Sequence, residues 1–192
     1  MSFEYPEEHK KQLQRLTALL NELPVGDYVL ELGCGHGHFL SALAVLEKGA
    51  RNYVGVDKKH DRLARGQKKS DRIGMKVHWI WGSAGDVLDC WPENRIVRDC
   101  FVLFPDPWPK KRHWKHRFVN AAFLSSLARI CAPRSRLFFR TDHEGYFSDV
   151  WQLISESSLW QIDPVVQWPG PLPQTVFEEH HPRFDSLIAV LK

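Results

Sequence analysis

Long apolar runs are missing from this 192-residue chain. No window approaches the roughly 18 uninterrupted apolar residues of a membrane span. The N-terminal MSFEY leads into charged sequence, not into the apolar centre of a secretion signal. A cytoplasmic protein without a membrane segment is the expectation. Cysteine is scarce: Cys34, Cys90, Cys100 and Cys131 include no C-x-x-C pair, which argues against a disulfide framework or a zinc knuckle. Charge of one sign is also lacking, since 26 Lys and Arg against 23 Asp and Glu leave a net charge of only +3. Overall charge therefore does not identify a polyanionic partner, and the local distribution must decide. There is no internal repeat and no sign of a second domain. Histidine is not scarce, but His36 with His38 and His180 with His181 come without carboxylates or cysteines at ligand spacing, so no metal is expected.

What is present is one core's worth of alternating elements. Residues 6–23 place leucines at helical spacing and stop at Pro24, giving an N-terminal helical segment within 1–24. Residues 28–32 form a strand that runs into glycines, and an apolar helical stretch follows over 39–46. A second strand, Asn52–Asp57, precedes a very basic, helical stretch at 58–72, in which Asp61 and Asp71 interrupt the positive face. Further strands are predicted at 76–81, 99–104, 136–140 and 186–191, with helices at 117–130 and 144–155 and a break at 164–173. Alternation of this kind predicts a single α/β domain over 1–192. Its sheet is mostly parallel with helices on both faces, and its ligand sits at the carboxyl ends of the strands.

Gly33, Gly35 and Gly37 follow the first strand. Lacking side chains, they let the backbone N–H groups at a helix start approach a ligand. A dinucleotide fingerprint needs its third glycine at position 38, which is His38, and no Lys-Ser or Lys-Thr follows to make a P-loop. Glu31 precedes the loop, and Asp57 ends the second strand 24 residues after Gly33, where an acid in such folds holds ribose hydroxyls. A carboxylate at Glu31 suits the ammonium group of a methionine moiety better than a pyrophosphate. Together these residues point to S-adenosylmethionine. The bland alternative is a tight corner, with Asp57 capping the next helix.

The most specific stretch is FPDPWPKKRHWKHR, residues 104–117. Its three prolines allow neither a regular helix nor a regular strand, so Asp106 is held in a stiff loop at a strand's carboxyl end. Residues 110–117 then hold five Lys or Arg, two His and no acid, flanked or interrupted by Trp108 and Trp114. That composition suits phosphate contact and base stacking; a solvated basic loop is the alternative.

This segment resembles the hallmark of the bacterial tRNA (guanine-N7)-methyltransferases, F-P-D-P-W-x-K followed by a basic stretch. The resemblance runs from Glu31 onward and includes R-T-D at 140–142 and a late T-x-x-E at Thr175 and Glu178. It implies a Rossmann-like methyltransferase fold, S-adenosylmethionine as cofactor and tRNA as partner, with position 46 of the variable loop as target. It further implies that Glu31, Asp57, a residue after the third strand and Asp106 bind the cofactor, with Asp106 also catalytic. Lys110, Asp142, Thr175 and Glu178 are implied to hold substrate, and Arg112, His113, Lys115 and Arg117 to contact RNA. In two respects the chain departs from the family. Ser83 stands where the family has an Asp or Asn near the adenine, so either its hydroxyl substitutes or Asp86 takes over. The N-terminal extension is short or absent, so tight tRNA binding would call for a second subunit; monomer and homodimer both stay open.

Guanine N7 carries no proton, so attack on a sulfonium methyl needs no strong base. In-line positioning and carboxylates that stabilise charge on the purine would supply the rate, with Asp106 in that role. Asp142 and Glu178 can accept from guanine N1–H and N2–H, although a helix cap and a surface ion pair would also account for them. Trp108 is either a stacking platform for an exposed guanosine or a core plug. Competing readings are a methyltransferase of another RNA or of a small molecule, and a non-catalytic tRNA-binding paralogue.

Overall fold

Residues 6–163, 173, 175, 178 and 183–192 are described in the computed structural model of the chain. Apolar and β-branched runs become strands β1 (Gly26–Leu32), β2 (Asn52–Asp57), β3 (Val77–Trp81), β4 (Arg95–Leu103), β5 (Cys131–Thr141), β6 (Trp160–Ile162) and β7 (Asp185–Leu191). They form one sheet in the order β3-β2-β1-β4-β5-β7-β6. β1 to β5 pair in parallel, and β7 lies antiparallel between β5 and β6. The strand order reverses between β1 and β4, which opens a crevice at their carboxyl ends.

Successive side chains of each strand point to opposite faces, and each face has its own helices. Val29, Tyr53, Phe101, Phe138 and Ile188 pack against Phe39, Leu40 and Leu43 of helix α2 (His38–Leu46). Their neighbours along those strands, Leu30, Val54, Val102, Phe139 and Leu187, face the other way. They meet Leu16 and Leu20 of α1 (Glu7–Asn21), Val87 of α4 (Ala84–Asp89), Leu127 of α5 (Ala121–Arg129) and Val150 of α6 (Glu144–Ser155). Each such side chain contributes about 1.5–3 kcal/mol on burial. The basic helix α3 (His60–Arg72) covers β2 and β3. No helix among the described residues is long and apolar enough to cross a membrane.

Several bounds differ from the sequence expectation for local reasons. α3 starts at His60 because Asp57 Oδ1 accepts the N–H of Lys59 at 2.8 Å, holding a turn before the helix. The helix expected over 117–130 begins only at Ala121, where Asn120 Oδ1 accepts the N–H of Phe123 at 3.0 Å. β5 begins at Cys131, five residues early, because residues 132–135 loop out of the ladder. Val97 pairs with Cys131 and Asp99 with Arg136, and Arg134 takes φ +70° in the bulge. The break expected at 164–173 lies outside the described residues except for Pro173, and so do His180 and His181.

Candidate active site

At the carboxyl ends of β1, β2, β3 and β4 lies a cleft of about 440 Å³. Leu32, Gly33 and Asp57 form its floor, and Lys58, Lys59 and Arg62 one wall. The opposite wall comes from the proline loop, with Phe104, Pro105, Asp106 and Trp108, together with His116 and Phe118. The fold therefore brings the glycine loop, Asp57 and Asp106 to one space, although 49 residues separate Asp57 from Asp106 in the sequence.

The glycine loop works differently from the sequence expectation. Gly33 N–H and Cys34 N–H both donate to the Val56 carbonyl, at 2.8 and 3.0 Å, and Gly35 N–H donates to Asp57 Oδ2 at 3.0 Å. Three successive amides are spent on β2, so they are not the anion cradle of a nucleotide-phosphate loop. What the loop offers a ligand is bare Cα surface. At Gly33 (φ +79°) and Gly35 (φ +52°) a Cβ would stand in open space, with nothing within 4 Å. Gly37 has a packing reason instead, since a Cβ there would lie 2.2 Å from the Trp79 ring.

Glu31, on β1 just below the loop, is 4 % exposed, and its Oε2 has no hydrogen-bond partner among the described residues. Burial pushes its carboxyl up to about 8, the backbone N–H of Leu40 opposes that rise, and the charge of Asp57 adds to it. A buried carboxyl oxygen without a partner is costly, and Glu31 itself does not line the cleft. Asp57, itself 7 % exposed, has one oxygen on Gly35 and the other on Lys59 N–H.

The proline loop is strained where it meets the cleft. Phe104 and Trp108 have φ of +50° and +44°, values that bulky residues hold only when their surroundings fix them. Phe104 N–H donates to the Arg140 carbonyl at 2.8 Å, and its ring packs edge-on to Phe184. Asp106 is exposed between these two positions. Trp108, 37 % exposed, is no core plug; it packs beside His116 and His113, with ring centroids 5.1 and 5.7 Å away. The basic run winds into a 3-10 helix, Lys111–His116, which points Lys110, Arg112 and Lys115 into solvent and leaves His113 half-buried.

Arg117 is turned inward. It is 5 % exposed, donates from Nε to the Pro107 carbonyl at 2.9 Å, and pairs with Asp149. Its guanidinium also lies 4.6 Å over the Trp114 ring and 4.8 Å over the Tyr146 ring. The residue expected among the RNA contacts thus clamps the proline loop to α6. Ser83 also serves the local structure, because its hydroxyl accepts the N–H of Asp86 at 3.1 Å as the N-cap of α4, and neither residue lines the cleft. Asp86 is engaged from α1 by His9 and Gln12.

Asp142 is exposed just beyond β5, where His143 rather than Asp142 caps α6 by accepting Tyr146 N–H at 3.1 Å. Glu178, 9 % exposed, is ion-paired with Arg140 in the same buried layer, and its N–H meets Thr175 Oγ1 at 3.2 Å. Arg140 further stacks on Phe184 at 4.4 Å. Neither Asp142, Thr175 nor Glu178 lines the cleft. Sequence reasoning missed Arg62 and His116 as cleft residues and Arg140 as the partner of Glu178. The first two stood within runs of like charge, and the third pairing spans 38 positions. No group of three or more His, Cys, Asp or Glu among the described residues is placed to hold a metal ion.

A family model described as "Putative methyltransferase" matches residues 26–183. The tRNA (guanine-N(7)-)-methyltransferase of Rhizobium meliloti (strain 1021) is 34% identical over 172 residues, 85% of this chain and 72% of that protein. The protein of the same description from Streptococcus pneumoniae (strain Hungary19A-6) is 33% identical over 129 residues, 67% of this chain. The match spans 59% of that relative's length. Among solved structures, TrmN from Thermus thermophilus superposes with a TM-score of 0.61 at 14% identity, covering 94% of this chain and 48% of that one. A SAM dependent methyltransferase from Aquifex aeolicus gives 0.55 at 16% identity, covering 98% and 100%. At these identities the two structures share the fold.

Proposed function

Because the chain belongs to the tRNA (guanine-N7)-methyltransferase family, we propose that it transfers the methyl group of S-adenosylmethionine to N7 of a tRNA guanosine. We place the target at position 46 of the variable loop. The observation that carries this reading is the single cleft in which the glycine loop and Asp57 face Asp106 and Trp108. The methyl donor fits the residues present. The buried, unpartnered Oε2 of Glu31 suits an ammonium group, and the open surface at Gly33 and Gly35 is a cradle that any Cβ would fill. Asp57, with both oxygens already fixed by backbone amides, is oriented to accept from ribose hydroxyls with its remaining lone pairs. When bound, the cofactor supplies an electrophilic methyl group on a sulfonium.

N7 of guanine is an unprotonated acceptor, so the protein need not remove a proton before attack. What the protein must do is hold N7 in line with the methyl carbon and offset the positive charge that grows on the purine. Asp106 offsets that charge from the cleft wall, in a loop that prolines and the Arg117 clamp keep from relaxing. Trp108 stacks on the guanine. Lys110, Arg112 and Lys115 hold phosphates, while Arg117 acts through the loop it fixes. Asp142 and the Thr175 and Glu178 pair stand near β5 to read the guanine edge once RNA is seated; Glu178 must then share or leave Arg140.

The test is transfer of label from radiolabelled S-adenosylmethionine to unmodified tRNA transcripts, mapped by cleavage at N7-methylguanosine. Label at one variable-loop guanosine is expected. Asp106→Ala should lower turnover by about 100-fold or more. Cofactor binding without any label on tRNA would overturn the reading in favour of another acceptor or a non-catalytic paralogue.

A further inference from the structure

Trp81 ends β3 at the rim of the cleft, one residue before the cleft-lining Gly82, and is 48 % exposed. A large aromatic left this open is ordinarily mobile, yet this one is held on several sides by polar groups. Its Nε1–H donates to the Lys58 carbonyl at 3.0 Å. Arg15 of α1 lies 5.0 Å over the ring and also donates to the Trp81 carbonyl. His60, at the start of α3, meets the ring edge-on at 6.0 Å. The indole donor is satisfied within the protein, so what remains exposed is the ring surface that Arg15 and His60 leave uncovered, without a polar demand of its own. Arg15 and Lys58 touch it and Lys59 and Arg62 line the adjoining cleft, while Asp57, its partner in the β2–β3 ladder and within 3.9 Å of Arg62, and Asp61 oppose them. A pre-ordered aromatic ring inside a cationic rim has the composition of a stacking site for an unpaired base with its phosphates.

We propose that Trp81 is a second stacking platform, which takes an unpaired nucleotide of the RNA substrate while the target guanosine occupies the cleft between Asp57 and Asp106. The inference rests on the tRNA reading above and adds to it a contact on the β3 side, remote in sequence from the 104–117 segment. Charge complementarity selects a polyanion, and the aromatic surface selects an unstacked base over a duplex backbone. Two stacking sites at the rim would hold the RNA splayed, so that the guanosine need not be unstacked at each encounter.

The experiment is filter binding of unmodified tRNA at fixed low salt to the unaltered protein, Trp81→Ala and Trp81→Phe. Calorimetric titration with S-adenosylhomocysteine and thermal melting of all three run alongside. Trp81→Ala should weaken tRNA binding by roughly tenfold, Trp81→Phe should recover most of it, and S-adenosylhomocysteine affinity should hold. Equal tRNA affinity in all three, or equal loss in Ala and Phe variants, overturns the proposal. Loss of S-adenosylhomocysteine affinity with unchanged tRNA affinity overturns it too, making Trp81 a wall of the cofactor site. If the Ala variant does not fold, the unaltered protein still decides: tRNA with 4-thiouridine at unpaired positions should crosslink to the peptide containing Trp81, and a map that skips that peptide rejects the platform. Binding of tRNA that ignores Trp81 removes only the platform. No tRNA binding by the unaltered protein removes the reading beneath it as well.

Discussion

Gly35 N–H is donated to Oδ2 of Asp57 at 3.0 Å, so the glycine loop after β1 is shaped by the carboxylate that ends β2. One carboxylate both holds the loop and faces the cleft. Replacing Asp57 therefore removes a ligand contact and the brace of the loop together. Asp57→Ala should weaken S-adenosylhomocysteine binding by more than tenfold, and Asp57→Asn, which keeps one acceptor oxygen, should weaken it less. Isothermal titration separates the two; equal losses would mean that the brace does not matter.

Glu31 gives a pH signature. Its folded-state carboxyl stands at about 8 against an ordinary 4.5, so the ligand-free fold binds this proton more tightly than the unfolded chain does. Glu31's contribution to stability is therefore fully present below about pH 4.5 and is lost as pH rises through about 8. Glu31→Gln should flatten that decline between about pH 4.5 and 8 in melting profiles of the ligand-free protein. An ammonium seated beside Glu31 would force its ionisation, so cofactor binding near pH 7 should release up to about one proton. Titrations in buffers of different ionisation enthalpy should show that release in the unaltered protein and none in Glu31→Gln.

The two kinds of basic residue in 110–117 should separate in a salt series. Lys115→Ala and Arg112→Ala remove exposed charges, and each should lower the slope of log affinity for tRNA against log salt by roughly 0.7–0.9 with melting unchanged. Arg117→Ala should leave the slope almost intact and lower the melting temperature and turnover, because it frees the Pro107 carbonyl and Asp149. Similar salt slopes for Arg117→Ala and Lys115→Ala would contradict the clamp.

Arg140 and Glu178 form a buried pair, so cutting one partner should cost much more than replacing both. Glu178→Ala should destabilise by about 3–5 kcal/mol, since the guanidinium is left behind. The double variant Arg140→Met with Glu178→Leu should recover most of that loss in urea unfolding without recovering methyl transfer. Additive effects in this double-mutant cycle would rule out the pairing as a stability determinant.

The sequence was informative wherever the signal was local. The run before Gly33, the carboxylate ending Asn52–Asp57 and the prolines around Asp106 each announce a strand end, and the fold places all three at one cleft. Short elements escaped: six-residue α4 and three-residue β6 are too brief for a period to show. The amides of the glycine loop also misled, because their acceptors are Val56 and Asp57, on another strand. Composition could not tell Arg117 from Lys115, since a guanidinium turns inward only if a carbonyl, a carboxylate and two aromatic rings await it. The rigidity of Trp81 likewise depends on Arg15 and Lys58, which lie 66 and 23 positions away.

The placement of β7 between β5 and β6 bears on how the chain is made. Among the described residues β6 pairs only with β7, from which residues 163–184 separate it. On a ribosome adding about 5–20 residues each second, β6 waits on the order of a second or more before its neighbour emerges. During that wait β5 also has an open edge, along the residues from Arg136 to Thr141 that later pair with β7. The later strand therefore closes two edges in one event, and slow codons between 163 and 184 would prolong the interval in which the nascent chain is most open to chaperones.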